Sequence, residues 1–175
     1  MNDELIQNNK SRTEIVDYVR NLLINVNKEI ILYYFKNMKS KDITTKSTDD
    51  DFVSIADKKS EDIISKQLKG FLGVNDILGE ETAFISKKYD EYLHKSLLWV
   101  VDPIDGTKNY INGKQYFCSM ISLVRSMVPI ATFIYYPFKN TFVYAFKNFG
   151  AYLINTNTNI STKLLINPNN VLKII

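Results

Sequence analysis

The sequence is poorest in the side chains that most metal and redox sites rely on. It holds one cysteine, Cys118, and one histidine, His94. A single cysteine excludes an internal disulfide and a thiolate zinc cluster, and a single histidine leaves no imidazole pair for a metal site. No apolar run nears the roughly 18 residues that a membrane-crossing helix needs. Six glycines and four prolines among 175 residues leave no low-complexity module, and no internal repeat is visible. Charge of one sign is lacking too. The 22 basic and 19 acidic residues give +3, without the dense basic stripe of a nucleic-acid binder. The first residues, MNDELIQNNKSR, are polar and acidic rather than basic and then apolar, so no secretory leader is read there. These exclusions leave the expectation of a soluble, cytoplasmic protein with neither a membrane nor a nucleic-acid polymer as partner.

What is present suits a folded domain. Hydrophobic residues make up 45% and aromatics 13%, and a chain of this length buries roughly 70% of its unfolded surface. Ile15, Tyr18/Val19, Leu22/Leu23, Val26, Ile30 and Tyr33/Tyr34 recur at helical spacing, which predicts an amphipathic helix over about 12–37. Residues 39–59 are polar, broken by Ile43 and Phe52-Val53, and read as a connector or a β-hairpin. Ser54 or Asp57 then caps a second helix to about residue 72, with Ile63, Ile64, Leu68 and Phe71 inward and Gly73 as its stop. A short strand at 76–81 ends in Glu80 and Glu81, and 82–96 reads as a charged loop. Leu97 to Val101 is a strand, followed by a D-P-I-D-G-T turn and a short helix or turn at 108–112. Runs at 117–125, 130–136, 141–146 and 149–154, separated by Pro129, Pro137 and Asn148/Gly150, read as strands. The tail shows no closing helix. Two helices followed by an antiparallel meander predict an α+β fold, one unit over 1–175.

Carboxylates close three separate apolar segments: Asp57, Glu80/Glu81 and Asp102/Asp105. WVVDPIDGTKNY (99–110), taken alone, is either an ordinary polar turn, since Pro, Asp and Gly are turn residues, or a place that holds a cation. Acids gathered in one site repel and raise each other's pKa unless a cation intervenes. Oxygen ligands without Cys or His select Mg²⁺, Mn²⁺ or Ca²⁺ over zinc. Pro103 is expected to end the strand and rigidify the turn. Gly106 permits close backbone approach, and Thr107 offers a hydroxyl and an N–H to a phosphate. Lys46 and Asp49-Asp50-Asp51 read on generic grounds as solvated, Cys118 as a small buried hydrophobe and His94 as a loop residue.

Asp102-Pro103-Ile104-Asp105-Gly106-Thr107-Lys108-Asn109-Tyr110 resembles the D-P-I-D-G-T-x-N-[FY] signature of the inositol monophosphatase family. KSTDDDFVSIAD (46–57) and Ile77-Leu78-Gly79-Glu80-Glu81 are similar to its K-S-x-x-D-x-V-T-x-x-D and I-x-G-E-E segments. Downstream, Ile134-Tyr135-Tyr136-Pro137 and KNFGAYL (147–153) resemble further family elements. The resemblance implies a layered α/β sandwich of the sugar-phosphatase type and Mg²⁺-dependent, lithium-sensitive hydrolysis of a small phosphate monoester. It implies that Glu80, Asp102 and the carbonyl of Ile104 bind one Mg²⁺, and that Asp102 and Asp105 share a second. Thr107, bonded to Asp57, would with Glu80 orient and deprotonate the attacking water. The backbone of Gly106 and Thr107, beside Asp105, would receive the phosphate, with Lys46 and Glu81 in support.

The family pattern continues into a W-D-x-[AG] motif, whose aspartate completes the second metal site. Here the one tryptophan is Trp99 and no such motif follows residue 154. The chain therefore reads as the N-terminal metal-binding part of such an enzyme, with an uncovered sheet face suited to homodimerisation. An inactive or partner-dependent remnant is the second expectation. Lys108 after D-G-T also occurs in relatives acting on adenosine 3′,5′-bisphosphate or histidinol phosphate. A two-carboxylate glycosidase fits less well, because Pro-Ile between the acids and Gly-Thr after them suit a metal and a phosphate.

Overall fold

A computed structural model of the chain describes residues 11–45, 52–86 and 89–165. Helix α1 (Arg12–Val26) opens with a capping box. Ser11 Oγ accepts the Glu14 N–H at 3.2 Å, and the Glu14 carboxylate accepts the Ser11 N–H at 2.6 Å. Ile15, Val19, Leu22, Leu23 and Val26 are buried, as their spacing predicts. The helix then widens into one π turn (Asn27–Ile31) before a final α turn, α2 (Leu32–Tyr34). A π turn inserts a residue and so rotates the apolar stripe. Ile31 rather than Ile30 becomes fully buried, and Tyr33 is 68% exposed. The expected inward placing of Ile30 and Tyr33 is corrected by this shift.

Strands β1 (Ile43–Thr45) and β2 (Phe52–Ser54) form the antiparallel hairpin, and helix α3 (Ile55–Leu68) follows at once. Both expected caps act together. Ser54 is the N-cap, with its Oγ accepting the Ala56 N–H at 3.1 Å, and Asp57 Oδ2 returns to the Ser54 N–H at 2.9 Å. The helix stops at Leu68 rather than near 72. The chain reverses through Gly70, at φ +81°, so Gly70 and not Gly73 is the break.

Next come β3 (Ile77–Gly79), α4 (Glu80–Ser86), α5 (Tyr89–Leu93), β4 (Leu97–Asp105) and α6 (Thr107–Ile111). The meander is β5 (Cys118–Arg125), β6 (Val128–Tyr136), β7 (Thr141–Phe146), β8 (Gly150–Asn155) and β9 (Ser161–Leu164). Four features differ from the sequence reading here. Glu80 and Glu81 begin a helix rather than end a strand, and the charged "loop" contains α4 and α5. β4 runs through the supposed turn to Asp105. β9 continues the meander into the tail. Strands β3 to β9 pair in sequence order, with β3 parallel to β4 and every other pair antiparallel.

Helices α1 and α3 pack on one face of the sheet, over Trp99, Ile121, Leu123, Phe133, Phe142 and Ile154. Each such side chain contributes about 1.5–3 kcal/mol when fully buried. On the opposite face Met120, Ile134, Val143 and Leu153 stand in one row across β5–β8 and are only half-buried. This helix-covered mixed sheet is the α+β layering that the sequence predicts.

Helix α4 has no local cap, because Gly79 precedes it. Its first turn is instead capped from α3. The buried Glu61 carboxylate accepts the Glu81 N–H at 2.6 Å, the Thr82 N–H at 2.9 Å and the Thr82 hydroxyl at 2.5 Å. A methyl on Gly79 would overlap that carboxylate. Gly79→Ala is therefore expected to destabilise the fold by about 1–3 kcal/mol, read as a lowered urea midpoint. An unchanged midpoint would show that Glu61 moves aside freely.

Candidate active site

In a regular strand, residues three apart face opposite sides. Asp102 pairs with Met120 and Asp105 with Cys118, so β4 advances three residues where β5 advances two. This β-bulge cancels the alternation and turns both aspartates to one face. Pro103 sits inside the bulge, where its missing N–H breaks no ladder bond, rather than ending the strand.

Side chains satisfy the bulge's polar backbone. Ser119 Oγ donates to the Pro103 carbonyl at 2.7 Å, and Asp102 Oδ1 accepts the Ile104 N–H at 3.1 Å. Thr107 Oγ1 lies 2.9 Å from the Ile104 carbonyl and 3.2 Å from Asp57 Oδ1. Gly106 then turns the chain into α6 at φ +95°, and a Cβ there would lie 3.0 Å from the Tyr116 carbonyl. Only glycine suits both demands.

Four carboxylates meet at this point from three elements: Asp57 on α3, Glu80 at the start of α4, and Asp102 and Asp105 on β4. Asp57 is fully buried, and burial raises its pKa against the lowering pull of its bonds to Ser54 and Thr107. Asp102 is pushed up to about 8, first by burial and then by the charge and hydrogen-bond contact of Glu80, with Asp105 and Asp57 adding to it. Cys118, buried as expected, donates to Asp105 Oδ2 at 3.6 Å, and burial and the nearby acids push its thiol up to about 12. Glu81 is turned inward at 3% exposure. Lys46 and Asp49-Asp50-Asp51 lie outside the described residues.

Among the described residues, no three His, Cys, Asp or Glu side chains are already closed into a metal cage. The acids form an open set around Asp102. Their chemistry nonetheless fits a hard divalent cation, since the donors are all oxygens and their mutual repulsion asks for positive charge. Beside Asp105 and Gly106 opens a cleft of about 340 Å³, walled by Asn109, Gln115, Tyr136 and Lys139.

Residues 13–174 match the model of the inositol monophosphatase family. The chain belongs to the inositol monophosphatase family. It is 34% identical over 125 residues to a fructose-1,6-bisphosphatase/inositol-1-monophosphatase of Aquifex aeolicus, covering 71% of this chain and 45% of that protein. It is 33% identical over 152 residues to the Methanocaldococcus jannaschii protein of the same description, covering 87% of this chain and 56% of that one. Among solved structures, the Thermotoga maritima IMPase matches with a TM-score of 0.68 at 23% identity, over 80% of this chain and 51% of that chain. A Ca-bound IMPase family protein from Staphylococcus aureus matches with a TM-score of 0.67 at 21% identity, over 84% and 52%. These likenesses show the inositol monophosphatase fold. The chain spans about half the length of the relatives it matches.

Sequence reasoning missed Glu61 and Ser119. Asp57, Glu61, Ile64 and Leu68 recur at helical spacing, so an acid standing on an apolar stripe was the available signal for Glu61. Nothing local marks Ser119, whose partner Pro103 lies across the strand pair.

The raised Asp102 pKa has a thermodynamic consequence. An unfolded aspartate titrates near 4, so between pH ~4 and ~8 the native protein holds a proton that the unfolded chain has released. Stability of the protein in EDTA therefore falls as pH rises through that window, by up to about 1.4 kcal/mol per unit from this group. Urea midpoints from pH 5 to 8 are expected to drop for the wild type and flatten for Asp102→Asn. Equal slopes in the two proteins would remove the assigned burial penalty.

Proposed function

We propose that the chain carries a Mg²⁺-dependent phosphomonoesterase site of the inositol monophosphatase type. The observation that carries this reading is the bulge, which sets Asp102 and Asp105 on one face with Glu80 against Asp102. Glu80, Asp102, Asp105 and the Ile104 carbonyl would hold the cation. A divalent ion there supplies Lewis-acid polarisation of the phosphate and lowers the pKa of bound water. Support for a hard cation comes from the donor set and from the Ca-bound staphylococcal relative.

The chain's own residues do the rest. The Thr107 hydroxyl has one proton and two acceptors within reach. When that proton goes to Asp57, the lone pairs of Thr107 Oγ1 are left to accept from an attacking water. Asp57, fixed by the Ser54 cap, orients Thr107, and Glu80 at the rim is the general base for the water. The Gly106 and Thr107 backbone, with no Cβ in the way at 106, receives the phosphate. The cleft beside Asp105 suits the remainder of a small phosphorylated polyol or sugar, in keeping with the names of the relatives. The soluble, cytoplasmic setting expected from the sequence belongs to this reading; among the described residues, no helix is long and apolar enough to cross a membrane.

Phosphate release from inositol monophosphate, fructose 1,6-bisphosphate, adenosine 3′,5′-bisphosphate and histidinol phosphate, with and without Mg²⁺, tests the proposal. Release from at least one is expected only with Mg²⁺, is inhibited by Li⁺, and falls at least 100-fold in Asp102→Asn or Thr107→Val. Mg²⁺-independent release, or an Asp102→Asn protein as active as wild type, would sink the assignment. A protein that binds Mg²⁺ and phosphate without turnover would instead support the remnant.

A further inference from the structure

Asn27 opens the π turn of the first helix and is 1% exposed, wedged between that helix and the sheet. Its amide nitrogen donates to the Leu23 carbonyl at 2.9 Å and to Ser119 Oγ at 2.8 Å. An amide nitrogen only donates, so Ser119 Oγ must accept there. Its one proton then goes to the Pro103 carbonyl, 2.7 Å away. The relay runs one way: Asn27 to Ser119 to the centre of the bulge. Asn27 Oδ1 has no hydrogen-bond partner among the described residues. A buried, half-satisfied amide is a net cost to folding, and an apolar side chain such as leucine, with the same branching, would avoid it. Packing therefore does not account for an asparagine at this position. The relay does.

The far end of the π turn works in parallel. The Ile31 carbonyl accepts the Tyr110 hydroxyl at 2.7 Å, anchoring α6 just beyond Thr107. One π turn thus braces the Asp102–Thr107 segment at its centre and at its exit. We propose that Asn27 is a positioning residue for the carboxylate site: through Ser119 it fixes the Pro103 carbonyl, and with it the bulge that sets Asp102 and Asp105 side by side. Its effect on a cation rests on the metal reading given above; its effect on the backbone does not.

The full chain tests this with two independent measurements, amide hydrogen exchange and Mn²⁺ titration. In Asn27→Leu and in Ser119→Ala, exchange at Ile104 to Thr107 is expected to quicken at least tenfold, while peptides in β6–β8 keep their wild-type rates. Mn²⁺ affinity should fall about tenfold, as for residues that orient metal ligands. The double variant should add little to either single one, and Ser119→Thr, which keeps the hydroxyl, should restore both readouts. Unchanged exchange at 104–107, or acceleration spread evenly over the sheet, would overturn the proposal in favour of a plain packing role. Should Asn27→Leu fail to fold, the Ser119→Ala and Ser119→Thr pair decides on its own. If the wild type binds no Mn²⁺, the metal reading falls and the exchange result alone judges the brace.

Discussion

Strand geometry sends alternate side chains to opposite faces, and the acids of the site exist as a group only because one extra residue in β4 suspends that rule. The extra residue is accommodated because three polar backbone groups inside the bulge have side-chain partners within reach: Ser119 for the Pro103 carbonyl, Asp102 for the Ile104 N–H, Thr107 for the Ile104 carbonyl. Two of those partners, Asp102 and Thr107, are also candidate functional groups. Local folding and chemistry therefore draw on the same side chains. A change at either position disturbs the backbone and the site together.

The electrostatics follow from this placement. Asp57 is buried yet tolerated, because the Ser54 backbone N–H and hydroxyl both donate to it, with the Thr107 hydroxyl, shared with the Ile104 carbonyl, within reach. Asp102 has fewer such donors and faces Glu80, Asp105 and Asp57, so repulsion and burial outweigh its single bond from Ile104. Asp57, the deeper of the two, is thus offset by its donors, whereas Asp102 has one donor and three acidic neighbours. Glu61 shows a third solution. It lies buried with its carboxylate against the open N-terminus of α4, where two backbone N–H groups and a hydroxyl compensate it.

Much of this was legible in the sequence. The D-P-I-D-G-T and G-E-E stretches located the candidate residues, and the period-2 runs located most of the meander. What escaped was non-local. The bulge is a mismatch of count between two strands, and D-P-I-D-G read by itself looks like a turn. The start of α4 was hidden because its cap comes from Glu61, on another helix. The π turn was hidden because an inserted residue leaves composition unchanged while shifting the register of Ile30, Ile31 and Tyr33. The end of α3 was misplaced because Phe71, at helical spacing from Ile64 and Leu68, extends the apolar pattern past Leu68, where a left-handed Gly70 already turns the chain.

The sheet's strand order bears on how the molecule comes together. Five antiparallel pairings, β4 through β9, join neighbours in the chain, and each closes a short loop at small entropic cost. The exception is the parallel β3–β4 pair, which must wait for the α4–α5 crossover. Low contact order favours rapid assembly of the meander, while the parallel junction and the docking of α1 and α3 come at higher cost. Glu80 and Asp57 ride on those later pieces, whereas Asp102 and Asp105 ride on the meander. On that order of assembly the meander forms against the repulsion between Asp102 and Asp105 alone, and Glu80 and Asp57 add theirs when the crossover and α3 dock.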